Sequence, residues 1–182
     1  MANSELESLT KAIHERWTQT PGSKAARYVG QFFDAHYTAD KVWGKVEGNH
    51  GTYTVSILIE DGQITSACSC YIGKHGGCHH VNALAITFLK DPGVFEKVET
   101  KQREDVRGLD DLKAYLDGIT LEDLLKQLKS RGITAKSAAE SMGMSPQKLG
   151  AIKSSELRNR HFSELGATKL ACLWILEHFG SK

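Results

Sequence analysis

Three cysteines and a histidine lie close together in the stretch CSCYIGKHGGCHH, at Cys68, Cys70, Cys78 and His80, with the spacing C-x-C-x7-C-x-H. Three thiolates and one imidazole are a donor set of tetrahedral zinc, and four protein donors leave no coordination position for water or substrate. The motif therefore predicts a structural Zn2+ site. Any fold of this chain must then bring both pairs of ligands around one ion.

The residues beside the ligands predict how each pair is presented. The run 63–70 follows a hairpin turn and is a predicted strand, on which Cys68 and Cys70 point to the same face. The second pair precedes an amphipathic helix, whose apolar stripe is Val81, Leu84, Ala85, Phe88 and Leu89. We expect this helix to begin near His80, with Cys78 in the preceding turn, because residues two apart on a helix diverge by about 200°.

Other roles for these residues remain open. Buried free thiols would suit an apolar environment, but they do not account for a histidine two residues after the third cysteine. A disulfide framework is less consistent, since Cys172 is the one cysteine outside the cluster and no export signal is expected at the N-terminus. His79 and His75 are competing ligands, and either could replace His80 at the metal.

The pattern C-x-C-xn-C-x-H, preceded by an antiparallel β-meander and followed by a helix, resembles the SWIM zinc finger family. The resemblance spans residues 23–95, and the usual C-K-H ending of the family is replaced here by Cys78-His79-His80. Family members serve as DNA-binding or protein-interaction modules, some attached to transposases, helicases and kinases, and others acting as accessory factors for recombinases. The resemblance implies binding without identifying the ligand.

The rest of the chain predicts an α+β protein. Alternating apolar and polar residues over 52–59 indicate a half-buried antiparallel strand, and 42–46 indicates another. Two helices are predicted upstream, the second burying Ala25, Tyr28, Val29, Phe32 and Phe33. We expect a small three-stranded antiparallel sheet with a zinc knuckle and flanking helices, followed by an all-α helical domain. The predicted boundaries are 1–95 for the zinc finger domain, 96–108 for a charged linker and 109–182 for the helical domain.

The helical domain contains a segment, KSAAESMGMSPQKLGAIK at residues 136–153, that resembles a helix-turn-helix. Gly143 falls at the predicted turn, Ser145 is a good N-cap, and Pro146 fits the first helical position. In that motif the second helix enters the DNA major groove and reads base edges with its N-terminal residues. The candidate nucleic-acid-binding residues are Ser145, Gln147, Lys148, Lys153, Arg158 and Arg160.

The charge distribution supports a nucleic-acid surface in the same region. Residues 126–160 carry eight basic and two acidic side chains, a net charge of +6, whereas 99–125 carry four basic and eight acidic, a net charge of −4. A localised basic surface is the usual footprint of phosphate binding. Gln147 could pair with adenine, and Lys148 with guanine or a phosphate. The alternative is that the segment is ordinary helical packing with solvated surface charges.

No arrangement typical of catalysis stands out in the sequence. A hydrolytic zinc would need one unbound cysteine and a general base, for which His75 is the only weak candidate. We therefore expect a protein that is not an enzyme and has no small-molecule substrate. No apolar run reaches the ~18 residues of a membrane span, so no membrane partner is expected. Zinc-type thiolates favour a reducing compartment, which predicts a cytoplasmic location, with nucleoid association as a variant.

Two functions fit these features. The first is a DNA-binding protein in which a structural zinc finger and a basic helical domain both contact nucleic acid. The alternative is a protein–protein adaptor, whose zinc module docks onto a recombinase-like ATPase or another nucleoprotein complex. The near-neutral formal charge of +1 for the whole chain motivates the second function.

Overall fold

The computed structural model describes residues 2–17, 20–60, 62–75, 77–160 and 162–179, with side chains for all of these except 2–4, 74 and 75. The chain divides into two compact units, residues 1–99 and 100–182. Each unit has its own cluster of buried apolar side chains.

The first unit packs helices against one mixed sheet. Its α-helices and strands are α1 (Ala2–Arg16), α2 (Ser23–Ala26), β1 (Phe33–Tyr37), β2 (Lys41–Gly48), β3 (Gly51–Glu60), β4 (Gln63–Cys68), α3 (His79–Lys90) and β5 (Glu96–Lys97). Short 3₁₀ helices lie at Ile72–His75 and Pro92–Val94. The strand order is β4-β3-β2-β1-β5, with antiparallel pairs from β1 to β4 and one parallel pair between β1 and β5.

The core of this unit lies between the sheet and α3. Val42 and Val46 on β2 and Val55 and Ile57 on β3 are buried, as the alternation of apolar residues requires for a sheet with one covered face. The apolar stripe of α3 packs into the same cluster, through residues that include Phe88. The sheet therefore gives α3 a fixed position, and the first turn of α3 carries one of the candidate metal ligands, His80.

The expected three-stranded antiparallel sheet is wrong, because the sheet has five strands and is mixed. Part of the error is the second predicted helix, which ends after one turn at Ala26. Gly30 follows with φ +77°, a conformation that favours glycine, and its N–H donates to Thr87 Oγ1 at 2.9 Å. The chain then continues as β1, so Phe33 lies in a strand and is exposed instead of buried in a helix.

The second missing strand is β5, which lies in the stretch 96–108 that was predicted to be a linker. Glu96 pairs with His36 of β1, and Lys97 pairs with Tyr37. A strand of two residues shows no alternation, so its sequence carries no periodic signal. The fold is α+β in the coarser sense, with a larger sheet than the sequence predicts.

The second unit consists of helices and one short 3₁₀ turn, Arg103–Asp105, among the residues that the structure describes. Its helices are α4 (Leu109–Gly118), α5 (Leu121–Ser130), α6 (Ala135–Ser141), α7 (Pro146–Glu156) and α8 (Leu165–His178). Their shared core contains Leu124 and Leu128 of α5, Leu149 and Ile152 of α7, and Cys172 of α8. Across the described parts of both units, no helix is long and apolar enough to cross a membrane.

Candidate metal centre and helical surface

The first two candidate ligands are presented by the end of β4 and the bend after it. Cys68 is the last residue of β4 and pairs with Val55 of β3, while Ser69 N–H donates to Thr54 O at 3.0 Å. Cys70 therefore lies beyond the strand. The prediction that Cys68 and Cys70 share a face by strand alternation is not met. The bend turns the Cys70 sulfur towards the loop, where Gly73 N–H donates to Cys70 Sγ at 3.1 Å.

The surroundings of Gly73 leave no space for a Cβ atom. A Cβ atom at this position would lie 2.5 Å from Cys68 Cβ and 2.6 Å from Cys68 O. The loop backbone thus passes directly over the first ligand, and its path depends on the missing side chain. This close approach brings the loop back towards the cluster.

The other two ligands lie at the start of α3. Cys78 is the N-cap residue, with extended backbone angles, and its carbonyl oxygen accepts from Asn82 N–H at 3.1 Å. The helix begins at His79, so Cys78 precedes it and His80 lies in its first turn. This arrangement agrees with the geometric argument that Cys78 and His80 cannot both point to the metal from within one helix.

The four donor atoms come together in one cluster. The sulfurs of Cys68, Cys70 and Cys78 and a ring nitrogen of His80 all lie within 4.8 Å of one another. His80 Nδ1 is 3.7 Å from Cys68 Sγ and 3.8 Å from Cys78 Sγ. A tetrahedron with zinc–ligand bonds of about 2.0–2.3 Å has edges of about 3.5–3.8 Å. The two distances to His80 Nδ1 match these edges, and the donor types of the cluster are those of a zinc site.

The His80 ring is held in an aromatic cage, and its side chain is 3% exposed. Its ring centroid lies 4.7 Å from that of Tyr28, 4.8 Å from that of Tyr53 and 4.1 Å from that of His79. Nδ1 faces the sulfurs, while Nε2 is buried without a hydrogen-bond partner among the described residues. A metal at Nδ1 would fix the proton on Nε2.

Without a cation the thiols compete for protons. The hydrogen bond between Cys68 and Cys78 raises the pKa of Cys68, which burial raises further, and it lowers the pKa of Cys78 to about 4. The N–H groups of Val81 and His80 also favour the Cys78 thiolate. Cys68 Sγ and Cys78 Sγ therefore share one proton, and the negative charge is favoured at Cys78. A divalent cation would take the place of that proton.

The other histidines and the remaining cysteine have different surroundings. His79 is outside the cluster and stacks on Tyr28, with ring centroids 5.6 Å apart, and burial lowers its pKa. The side chain of His75, the other competing ligand, lies outside the described residues. Cys172 is buried in the apolar core of the second unit, and burial raises its pKa to about 11. Cys172 is therefore a packing residue with a poorly reactive thiol.

The helix-turn-helix-like segment forms two helices joined by a tight turn. Gly143 has φ +72°, and Ser145 Oγ caps α7 by accepting from Lys148 N–H at 3.1 Å. Leu149 and Ile152 are buried in the helical core. Ser145 is thus already used as a cap, and the outer face of α7 is left to the solvent.

The candidate nucleic-acid-binding residues of this segment differ in their exposure and in whether they form ion pairs. Lys148 Nζ lies 3.0 Å from Glu164 Oε1 and 4.6 Å from the Phe162 ring centroid, so it is ion-paired on the surface of the unit. Gln147 is exposed on α7, and Lys153 is half-buried. Arg158 and Arg160 follow the end of α7 and are exposed.

A polar network inside the second unit was not predicted from the sequence. Lys169 Nζ lies 2.7 Å from Glu156 Oε1, with the side chains 5% and 15% exposed. Glu156 Oε2 accepts from Leu121 N–H at 2.7 Å, and Lys169 donates to Leu116 O at 2.7 Å. The network joins the ends of α4 and α5 to α7 and α8. An acid and a base 13 residues apart in sequence give no pattern that would have revealed it.

No family model, curated protein or solved structure matches this chain.

Proposed function

We propose that this chain is a zinc-stabilised DNA-binding protein, with a SWIM-like zinc finger in the first unit and a DNA-contacting helical surface in the second. The observation that carries the zinc assignment is the convergence of four soft and borderline donors within 4.8 Å. Zinc would be held by Cys68, Cys70, Cys78 and His80, and it would join the end of β4 to the start of α3. All four positions are occupied by protein, so its role is structural and not catalytic.

The zinc assignment is tested by metal analysis of the purified protein. We expect one zinc per chain, and Cys68→Ser should lose it because a thiolate donor is removed. Cys172→Ala is the matched control, since it also removes a thiol but lies in the other unit. Stoichiometric zinc in Cys68→Ser would contradict the ligand set.

DNA binding is proposed for the outer face of α7. At about 100° per residue, Gln147, Ala151 and Ser154 fall within roughly 40° of one line along the helix, opposite the buried Leu149 and Ile152. These are short or neutral side chains, which allow a helix to approach base edges closely. Lys148 and Lys153 fall on opposite flanks, roughly 100° and 120° to either side of Gln147. Cations on both flanks suit a helix that lies between two phosphate backbones.

The ion pair of Lys148 does not exclude it from such a surface. Its side chain is 43% exposed and that of Glu164 is 46% exposed, so the pair is screened by solvent. Exposed pairs contribute little to stability, and the lysine can exchange its partner for a phosphate. Lys153, Arg158 and Arg160 add the positive charge that the sequence concentrates in this region.

The DNA proposal is tested by salt-titrated binding to a double-stranded oligonucleotide. Lys153→Ala/Arg158→Ala should reduce the slope of log affinity against log salt by about two, because two phosphate contacts no longer release counterions. Lys101→Ala/Lys113→Ala removes the same charge from the acid-rich end of the unit and serves as the control. An unchanged slope in the first variant would rule out this surface.

A protein partner is the second candidate function, and one observation favours it. Tyr71 is 77% exposed and Ile72 is 54% exposed, although both lie in the loop between the metal ligands. Exposed apolar side chains that are neighbours on a surface are typical of docking sites. An adaptor of this kind would place its zinc module on a recombinase-like ATPase or another nucleoprotein complex. Copurification of a partner that Tyr71→Ser/Ile72→Ser abolishes, without zinc loss, would identify this role.

A further inference from the structure

An open groove lies beside the candidate metal centre, in the first unit. Its volume is about 540 Å3, which is within the range of about 300–1,000 Å3 for small-ligand clefts. Its described lining includes Trp17, Lys24, Cys78 and His79. The α7 surface does not involve this groove, which belongs to a different unit of the chain.

Two aromatic rings lie at the groove. Trp17 is half-buried, with the Arg16 guanidinium 5.6 Å from its ring centroid. His79 is also half-buried and is supported from behind by Tyr28, on which it stacks. Rings that are fixed in position can bind the flat face of a nucleobase without losing much side-chain freedom.

The groove also favours an anion. Lys24 is exposed and is the one charged side chain in its described lining, and Arg27 lies 4.8 Å from the ring centroid of Tyr28. Zinc with three thiolates has a formal charge of −1, since two positive charges meet three negative ones. Lys24 and Arg27 outweigh that charge, and the positive end of α3 adds to them. The net positive charge around the groove therefore favours a phosphate.

We propose that this groove binds one nucleotide of a single-stranded nucleic acid, with the phosphate at Lys24 and the base against Trp17 and His79. A base in a duplex is paired and stacked between its neighbours, so its face cannot reach rings that line a groove. An unpaired base can turn out of the strand and enter. The chain would then carry a single-strand site in the first unit and a duplex surface in the second.

The experiment uses the full-length, zinc-loaded protein with Trp43→Phe and Trp174→Phe, which leaves Trp17 as the only one of the three tryptophans. Titration with an unlabelled single-stranded oligonucleotide should quench the Trp17 fluorescence, because a stacked base contacts the indole directly. Adding Lys24→Glu or His79→Ala should weaken binding by about fivefold or more, in line with the loss of one phosphate contact or one stacked base.

Lys90→Glu is the matched control for charge, since Lys90 is exposed at the opposite end of α3. It should bind the strand as the parent does, and zinc content should be equal in all variants. Strand binding without a change in Trp17 fluorescence overturns the proposal, as does an equal loss of affinity in Lys90→Glu. A mononucleotide that competes as strongly as the oligonucleotide would also overturn it, because the ligand would then be a free nucleotide.

The inference can fail while the proposed duplex binding stands. A protein that binds duplex DNA through α7 but leaves the single strand unbound would refute the groove alone. Conversely, Lys153→Ala/Arg158→Ala should leave the quenching of Trp17 unchanged, since those residues belong to the other unit.

Discussion

Single residues decide whether the loop between Cys70 and Cys78 can bring the candidate ligands together. Gly73 passes so near Cys68 that a methyl group would overlap both the side chain and the carbonyl of the ligand. Cys78 is both the N-cap residue of α3 and the source of one sulfur of the cluster. Neither position tolerates a change in backbone path without moving a donor atom.

Gly73→Ala should weaken zinc binding by about 10- to 100-fold, the usual cost of disturbing the support of a metal ligand. The added Cβ must push the loop away from Cys68 and break the N–H contact to the Cys70 sulfur. Competition titration against a chromogenic chelator measures the affinity. Gly22→Ala is the control, because a Cβ at that position has open space. Equal affinities in the two variants would show that the loop is not constrained.

The donor set could be predicted because zinc binds few residue types, and four of them lie within residues 68–80. The position of Cys70 could not be predicted, because alternation along a strand predicts a shared face with Cys68, whereas β4 ends at Cys68, the residue that pairs with Val55. The close approach of Gly73 to Cys68 arises only in the folded loop. In the sequence, the glycine itself was the only indication of it.

Helices and strands of this chain are joined by contacts that no local sequence pattern predicts. Glu156 closes the N-terminus of α5, while Lys169 closes the C-terminal end of α4, and the two side chains pair inside the unit. The same limit explains the sheet. Phe33 was predicted to lie in a helix because it continues the helical spacing of the apolar residues before it, whereas Gly30 turns the chain before Phe33 begins β1.

Lys169→Met should destabilise the second unit by about 3–5 kcal/mol, because the buried Glu156 carboxylate would lose its partner. Lys113→Met is the control, since its ion pair with Asp117 is exposed and contributes little. Hydrogen exchange on peptides from α5 and α8 reports the loss of stability. Replacing Glu156 with Gln in the Lys169→Met background should recover part of it, and additive losses would contradict a direct pair.

At the level of the whole molecule, the two units depend on different forces. The first has a core beside the candidate metal cluster. The second has more buried leucines in its core and a side-chain cap on several helices, including Thr120 for α5. Small domains often draw much of their folding free energy from a bound metal. The metal should therefore matter to one unit and not to the other.

A strong chelator should unfold residues 1–99 and leave the helices of the second unit protected. Hydrogen exchange before and after chelation distinguishes the two, and readdition of zinc should restore protection of α3. Magnesium, which prefers oxygen ligands, should not restore it. Equal loss of protection in both units would show that they fold as one.

The position of β4 at the rim of the sheet has a consequence for the cell. Its outer edge has no neighbouring strand among the described residues, and such an edge is a template for pairing with another chain. In the proposed site, zinc would bind Cys68, the last residue of that strand. When zinc is scarce, we expect the freed hairpin to recruit copies of itself, so that metal starvation would first appear as insoluble aggregates and only later as lost binding.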